Sequence, residues 1–299
     1  MVIRSTKSNK PRESASDRVF NVIVISLLTL SCVVILVPLL HILAGSFSDP
    51  MALLRGEVGL LPVDFTLEMY EKVFKNEELW IGFRNTVLYT VLGTVISVSL
   101  TALAAYPLSR SDFYGKNVFM ILFSFTMFFS GGMIPTYLVV KDLGLLNTPW
   151  AMVLPSAVST YNLIIMRTFF QSTIPTELTD AASIDGCSDL GIFFRIVLPL
   201  SAPIIAVMML FYGVALWNSW FPALLYLGER SMYPLQMILR DILIESDMSN
   251  ISGSASDMEI IGDGLKYATM VISTLPIICL YPFLQKYFVK GVTLGAVKE

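Results

Sequence analysis

Six apolar stretches, each about as long as a membrane-crossing helix, leave this chain few ways to fold. They cover residues 20–43, 85–108, 118–140, 150–170, 202–225 and 268–287. A helix crossing the hydrocarbon core takes about 20 mainly apolar residues. In hydrocarbon every backbone polar group must be paired inside the protein, so such stretches fold as helices. The expected class is therefore an all-α integral membrane protein with six transmembrane helices. Composition agrees, since only 14% of the residues are charged, against about a quarter in a soluble domain. Pro135, Pro155 and Pro276 fall inside the stretches and are candidates for kinks.

The first stretch is too long for a secretory signal, and no small-residue cleavage pattern follows it. Six crossings put both termini on one side. With that side inside, the inner segments hold twelve of the 20 basic residues, among them Arg12, Arg110, Lys116, Arg195 and Lys290. Most acids, such as Glu77, Glu78, Asp247 and Glu259, fall outside. The bias of basic residues toward the cytoplasm favours this orientation. The expected organisation is a basic, flexible N-terminal tail over 1–18, a transmembrane domain over 19–290 and a short C-terminal tail over 291–299, both tails cytoplasmic. Two long outer loops are expected at 44–84 and 228–267. In the first, MYEKVF and EELWIGFRN read as short amphipathic helices at the outer surface. The second, with ESDMSNISGSASD at its centre, reads as flexible.

The stretches nearly lack charge. Arg167 and Lys286 stand close to their inner ends, where long side chains can reach water. Ion-coupled carriers place acids, Lys or His deep in their helices, and none is found here. The lone His41 has no ligand partners, and Cys32, Cys187 and Cys279 have neither metal nor redox spacing. Cys32 and Cys279 fall in the stretches, and Cys187 reads as a free cytosolic thiol. The expectation is no catalytic residue, no metal site, no cofactor in this chain and no nucleic-acid partner. No Gly-rich phosphate loop occurs either. If the chain drives transport, the energy comes from a partner.

One inner segment is neither span nor plain loop: DAASIDGCSDLGIFFRIVLPL, residues 180–200, within a loop over 172–200. Thr173 is placed to cap a helix and Pro175 to occupy its first turn. Glu177 and Asp180 suit the early turns, where the helix dipole favours acids. Ala181 and Ala182 leave a face of low relief, and Gly186 stops the helix. A second helix is expected over 189–197, with Leu190, Phe193, Phe194 and Val197 on one face and Pro199 turning the chain into the next span. Two readings stay open: a smooth knob offered to a cytosolic partner, or a helical loop packed on its own bundle.

The segment resembles the cytoplasmic loop of ABC-importer permeases, which carry EAA, three residues, Gly, nine residues and I-x-L-P. Here Asp180-Ala181-Ala182, Gly186 and Ile196-Val197-Leu198-Pro199 fall at the same spacing, with Asp180 in place of Glu. RNTVLYTVLGTVISVSLTALAAYPLSR and the tail VKGVTLGAVKE are similar to the MalG-like carbohydrate-uptake branch. SGGMIPTYLVVKDLGLLNT is similar to its LplC/YtcP-like subgroup, associated with oligosaccharides from complex polysaccharides. The resemblance implies the type I importer permease fold in the bacterial cytoplasmic membrane. It implies a non-catalytic subunit paired with a second homologous permease. Two ATP-binding subunits would hold ATP and Mg, and an extracytoplasmic solute-binding protein would deliver a carbohydrate. On this sequence Glu177, Asp180, Ala181, Ala182 and Ile184 would dock on an ATP-binding subunit, with Gly186 as the corner. Asp180 would face a basic residue there.

Sugars present hydroxyls and apolar ring faces, so their sites combine polar groups with aromatic platforms. Tyr212, Trp217 and Asn218 are candidates for the substrate path, with Tyr161 and Asn162 as a second patch beside Ser156, Ser159 and Thr160. An interfacial aromatic belt at Trp217 and Trp220, and polar helix packing around 156–162, are the competing readings. A permease for another binding-protein-delivered solute remains an alternative within the family. A stand-alone carrier or channel is the alternative from a different class.

Overall fold

The structure, a computed structural model, describes residues 14–252, 264–280 and 282. The tails at 1–13 and 291–299 and the end of the last apolar stretch lie outside the described residues. All described elements are helical. Among the described residues two helices, Ser16–Ser46 and Glu77–Ser109, are long and apolar enough to cross a membrane, or up to four if each of two bent pairs is one span.

The first helix, α1 (Ala15–Ser46), starts earlier than the apolar run. Ser14 accepts from Ser16 N, and Asp17 accepts from Ser14 N, forming a capping box. Residues 15–18, expected in the tail, are thus its first turn. None of the apolar stretch of α1 is buried within the chain. Beyond it, Asp49 caps α2 (Pro50–Leu54). MYEKVF lies in the amphipathic α3 (Glu68–Lys75), where Tyr70 Oη donates to Ser46 Oγ at 2.8 Å and ties α3 to the end of α1.

EELWIGFRN is not a separate surface helix. Asn76 accepts from Glu78 N and Leu79 N, and the helix that starts there runs unbroken as α4 (Glu77–Ser109). An adequate cap and no Gly or Pro pair in the way let it propagate into the span.

The next three expected spans are broken. The third is α5 (Lys116–Phe128) and α6 (Met133–Asp142), bent by 114°. The break holds Ser130, Gly131 and Gly132, with Gly132 at φ 89°, a conformation that glycine takes without a Cβ clash. Pro135 lies beyond the bend rather than at it. The fourth is α7 (Pro149–Val153) and α8 (Thr160–Thr173), with Pro155 in the gap. The fifth is α12 (Ala202–Trp217) and α13 (Phe221–Tyr226). Pro222 suits the first turn of α13, but its ring would clash with the carbonyl four residues back in a continuous helix.

The second long loop is also more regular than expected. After a 3-10 turn at Arg230–Met232, α14 (Leu235–Ser252) takes in much of the Ser-rich stretch. Residues 253–263 lie outside the described set. The last apolar stretch begins as α15 (Gly264–Leu280).

α12, α8 and α14 pack along α4. The main core joins Val98, Ala102 and Ala105 of α4 to Leu163 and Met166 of α8 and to Met208 of α12. At the other end Met69, Val73 and Leu79 meet Leu235, Ile238 and Ala268. Polar side chains on α4 hold the turn before α14. Asn85 Nδ2 donates to Ser231 O at 2.8 Å and Tyr233 O at 3.1 Å. Tyr89 Oη donates to Met232 O, and Leu235 N donates to Thr86 Oγ1.

The approach of α14 depends on Gly82. A Cβ there would stand 3.2 Å from the backbone of Leu235 and 2.5 Å from Ile238 Cδ1. Gly82→Leu is expected to lower stability by about 1–3 kcal/mol, the usual cost of overpacking, read as a lower unfolding midpoint in detergent. Gly59→Ala, with nothing within 4 Å, should leave the midpoint unchanged.

Candidate functional site

The segment after α8 breaks because Ile174 precedes a proline and is held extended, at φ −98° and ψ 112°. Thr173 is therefore the last residue of α8 and not a cap, a correction to the sequence reading. The cap position belongs to Pro175, which needs no N–H there. From it runs α9 (Thr176–Ile184), with Glu177 in its first turn.

The end of α9 is closed by a Schellman pair. Gly186 N donates to Ser183 O at 3.0 Å and Cys187 N to Ala182 O at 2.9 Å, and Gly186 takes φ 78°. Ser188 then caps α10 (Asp189–Ile192), which continues through a π-helical turn at Phe193–Val197 into α11 (Leu198–Leu200). The chain bends by 81° into α12. The π turn changes the expected face. Ile192, Phe193 and Val197 are buried, whereas Leu190 and Phe194 are exposed.

Of the six residues expected to dock, Glu177, Asp180, Ala181, Ile184 and Gly186 are exposed. Glu177, Ala181 and Ile184 recur at helical spacing and share a face. Ile184 is 87% exposed, an unusual position for an isoleucine at a helix end that carries acids and serines. Ala182 differs. It is half-buried and packs against the main core with Cys187, while Thr179 is buried beside it. Ala182 therefore seats α9, and Ala181 belongs to its open face.

Asp180 lines a cleft of about 430 Å³ between α9 and the ends of α4 and α8, together with Arg110, Lys116, Gln171 and Thr176. Arg110 Nε and Nη2 donate to both oxygens of Asp112, at 2.9 and 2.8 Å, a fork geometry that suits Arg. These bonds hold the Asp112 carboxyl below its ordinary 3.8. Arg167, expected to reach for water, is half-exposed and also donates from Nε to Leu108 O at 2.8 Å. Gln171 Nε2 donates to Ser109 O at 3.2 Å. Neither role is evident in the sequence, where only the spacing of four between them hints at a shared face.

The substrate-path candidates do not gather in one place. Tyr212 is buried, its hydroxyl sharing a hydrogen bond with Thr101 Oγ1 at 2.7 Å and accepting from Ser159 N at 3.0 Å. It joins α12 to α4 and to the start of α8. Trp217 is 6% exposed and donates from Nε1 to Ser273 O at 3.0 Å, joining α12 to α15. Both face the interior of this chain, because each polar atom is engaged there. Asn162 is buried as well. Asn218, in the break after α12, and Tyr161 are exposed. In the 156–162 patch, Thr160 Oγ1 meets Thr126 Oγ1 at 3.2 Å, which is helix packing. Trp220 lies under the Arg240 guanidinium at 4.9 Å. His41 Nδ1 is 3.0 Å from Gly59 O, a structural contact.

The sequence model of the family described as "Binding-protein-dependent transport system inner membrane component" matches residues 10–294. The chain is 43% identical over 289 residues to the polygalacturonan/rhamnogalacturonan transport system permease protein YtcP of Bacillus subtilis (strain 168), covering 94% of this chain and 99% of that protein. It is 45% identical over 284 residues to protein LplC of the same organism, covering 95% and 96%. Among solved structures it is similar to a chain of a bacterial ABC transporter involved in the import of the acidic polysaccharide alginate. That chain is 34% identical with a TM-score of 0.83, and the match covers 93% of this chain and all of that one.

The Arg110–Asp112 fork predicts a titration. A depressed carboxyl contributes its stability above the ordinary 3.8, and that contribution is lost as pH falls through the lower folded value. The Asp112 carbon resonance should titrate below 3.8 in the intact chain and return toward that value in Arg110→Met. Equal midpoints in the two would mean that the fork does not form.

Proposed function

The chain belongs to the family of binding-protein-dependent transport system inner membrane components, and from this we propose that it is the permease subunit of an ATP-driven carbohydrate importer. It crosses the bacterial cytoplasmic membrane six times, each bent or broken helix pair making one crossing, with both termini in the cytoplasm. It moves solute and performs no chemistry. ATP and Mg are held by two partner ATP-binding subunits, and a second permease of the same fold completes the path. The unburied faces of α1 support such a partner, since the helix makes little use of its own chain. A solute-binding protein outside supplies the cargo.

The observation that carries the reading is the open face of α9. Glu177, Ala181 and the bare Ile184 project from a short helix fixed on its inner side by Thr179 and Ala182 and closed by the Gly186 corner, with the exposed Asp180 at the edge of the cleft beside it. A rigid, low-relief knob with an uncovered apolar tip is built to seat in a cleft of another protein. We take that protein to be the ATP-binding subunit, whose closure on ATP would carry α9 with it. The named substrates of YtcP, polygalacturonan and rhamnogalacturonan, point to oligosaccharides of uronate-containing polysaccharides as the cargo class here. Asn218 and Tyr161, being exposed, are the path residues retained for this chain. Tyr212, Trp217 and Asn162 support the path from behind.

The test uses Ala181→Trp, because Ala182→Trp would also disturb the core beneath. In the reconstituted complex Ala181→Trp should weaken docking of the ATP-binding subunits about tenfold or more, the effect of losing roughly 1.4 kcal/mol. Hydrolysis stimulated by the binding protein should fall with it, while the chain still inserts and unfolds at its usual temperature. Unchanged docking and stimulation would reduce α9 to a packed loop.

A further inference from the structure

Helix α4 ends at Ser109 with carbonyls that have no partner in its own ladder, as every helix does. Such groups are paired by side chains, by the following turn or by water. Here each has a donor. Tyr106 O accepts from Ser109 Oγ at 2.6 Å, and Pro107 O from Arg110 N at 3.2 Å. Leu108 O accepts from Arg167 Nε at 2.8 Å, and Ser109 O from Gln171 Nε2 at 3.2 Å. Lys116 Nζ donates to Arg110 O at 3.2 Å.

The two middle donors come from α8. Arg167 and Gln171 are four residues apart, so they lie one above the other on that helix. Between α8 and α9 stand only Ile174 and Pro175. Ile174 is buried in the main core and Pro175 has a fixed φ, so the joint has little slack. A displacement of α9 therefore reaches α4 by two routes, the seat of Ala182 on the main core and the two directed hydrogen bonds from α8 to the carbonyl end of α4. The guanidinium also meets the partial negative charge of that helix end. At its other end α4 holds the 231–235 turn through Asn85, Thr86 and Tyr89.

We infer that Arg167 and Gln171 are positioning residues that make α9 and α4 move as one unit. They convey the displacement of the docked helix to the central span. The inference rests on the docking role proposed for α9.

Spin labels at Leu190→Cys and Leu103→Cys, with the three native cysteines replaced, report the separation of the α9–α10 knob from α4. The complex is prepared with its partner permease, ATP-binding subunits and binding protein, first without nucleotide and then with ATP and vanadate. With native Arg167 and Gln171 the distance should be the same in both states. With Arg167→Met and Gln171→Met together it should change by about 2 Å or more, the scale of helix shifts in switching proteins. Arg167→Lys, which keeps a donor, should hold the distance nearer to native. A helix cap that served stability alone would lower the unfolding temperature without making the distance respond to nucleotide. A constant distance in the double variant, or a changing one in the native chain, overturns the inference. If the double variant fails to assemble, Gln171→Met alone decides by the same two results. If ATP-binding subunits do not bind the native chain at all, the docking reading fails instead.

Discussion

Backbone groups freed where a helix ends or breaks need new partners, and several apolar stretches of this chain are broken. Something must pair the freed groups. Much of that task falls to α4. Its side chains Asn85, Thr86 and Tyr89 satisfy the turn before α14, and its own carbonyl end is satisfied by Arg167 and Gln171. The hydroxyl of Thr101 meets Tyr212, which in turn accepts from the first turn of α8. Gly82 and Gly93 then allow α14 and α12 to approach it closely, since a Cβ would meet Ile238 or Leu216.

The same arrangement separates a rigid body from an open one. α4, α8 and α12 enclose the main core, and α9 is seated on it through Thr179 and Ala182. α1 stands apart, with its apolar surface unburied. The chain presents the small knob of α9 and, along α1, a large apolar surface that it does not itself bury.

The sequence was most informative where its signals are those of soluble helices. Pro175, the early acids and Gly186 mark α9 to within two residues at its start and closely at its Gly186 corner, because caps and corners act locally. The apolar runs marked the presence of spans but not their shape. Averaged over 20 residues, Ser130-Gly131-Gly132 and the stretch from Pro155 to Ser159 disappear into their apolar surroundings, although each is turn chemistry in its own right. The start of α4 was read as a separate surface helix, since its first two turns mix Glu77, Glu78 and Arg84 with Leu79, Trp80, Ile81 and Phe83 and lie outside the apolar run. Tyr212 and Trp217 read as sugar platforms, yet both are engaged within the chain. Only the partners, 53 and 56 residues away along the chain, reveal that. Arg167 was legible as a charge near a span end, but its acceptor, the last turn of α4, follows only from the packing of α8.

The central claim is that the open face of α9 is covered by an ATP-binding subunit in the working complex. The direct measurement is the labelling rate of Ala181→Cys, in a chain without its native cysteines, by a membrane-impermeant maleimide applied from the cytoplasmic side. The account predicts fast labelling of the isolated chain and strong protection once the ATP-binding subunits are bound. Equal labelling in both states, in a complex shown to be assembled, would contradict it.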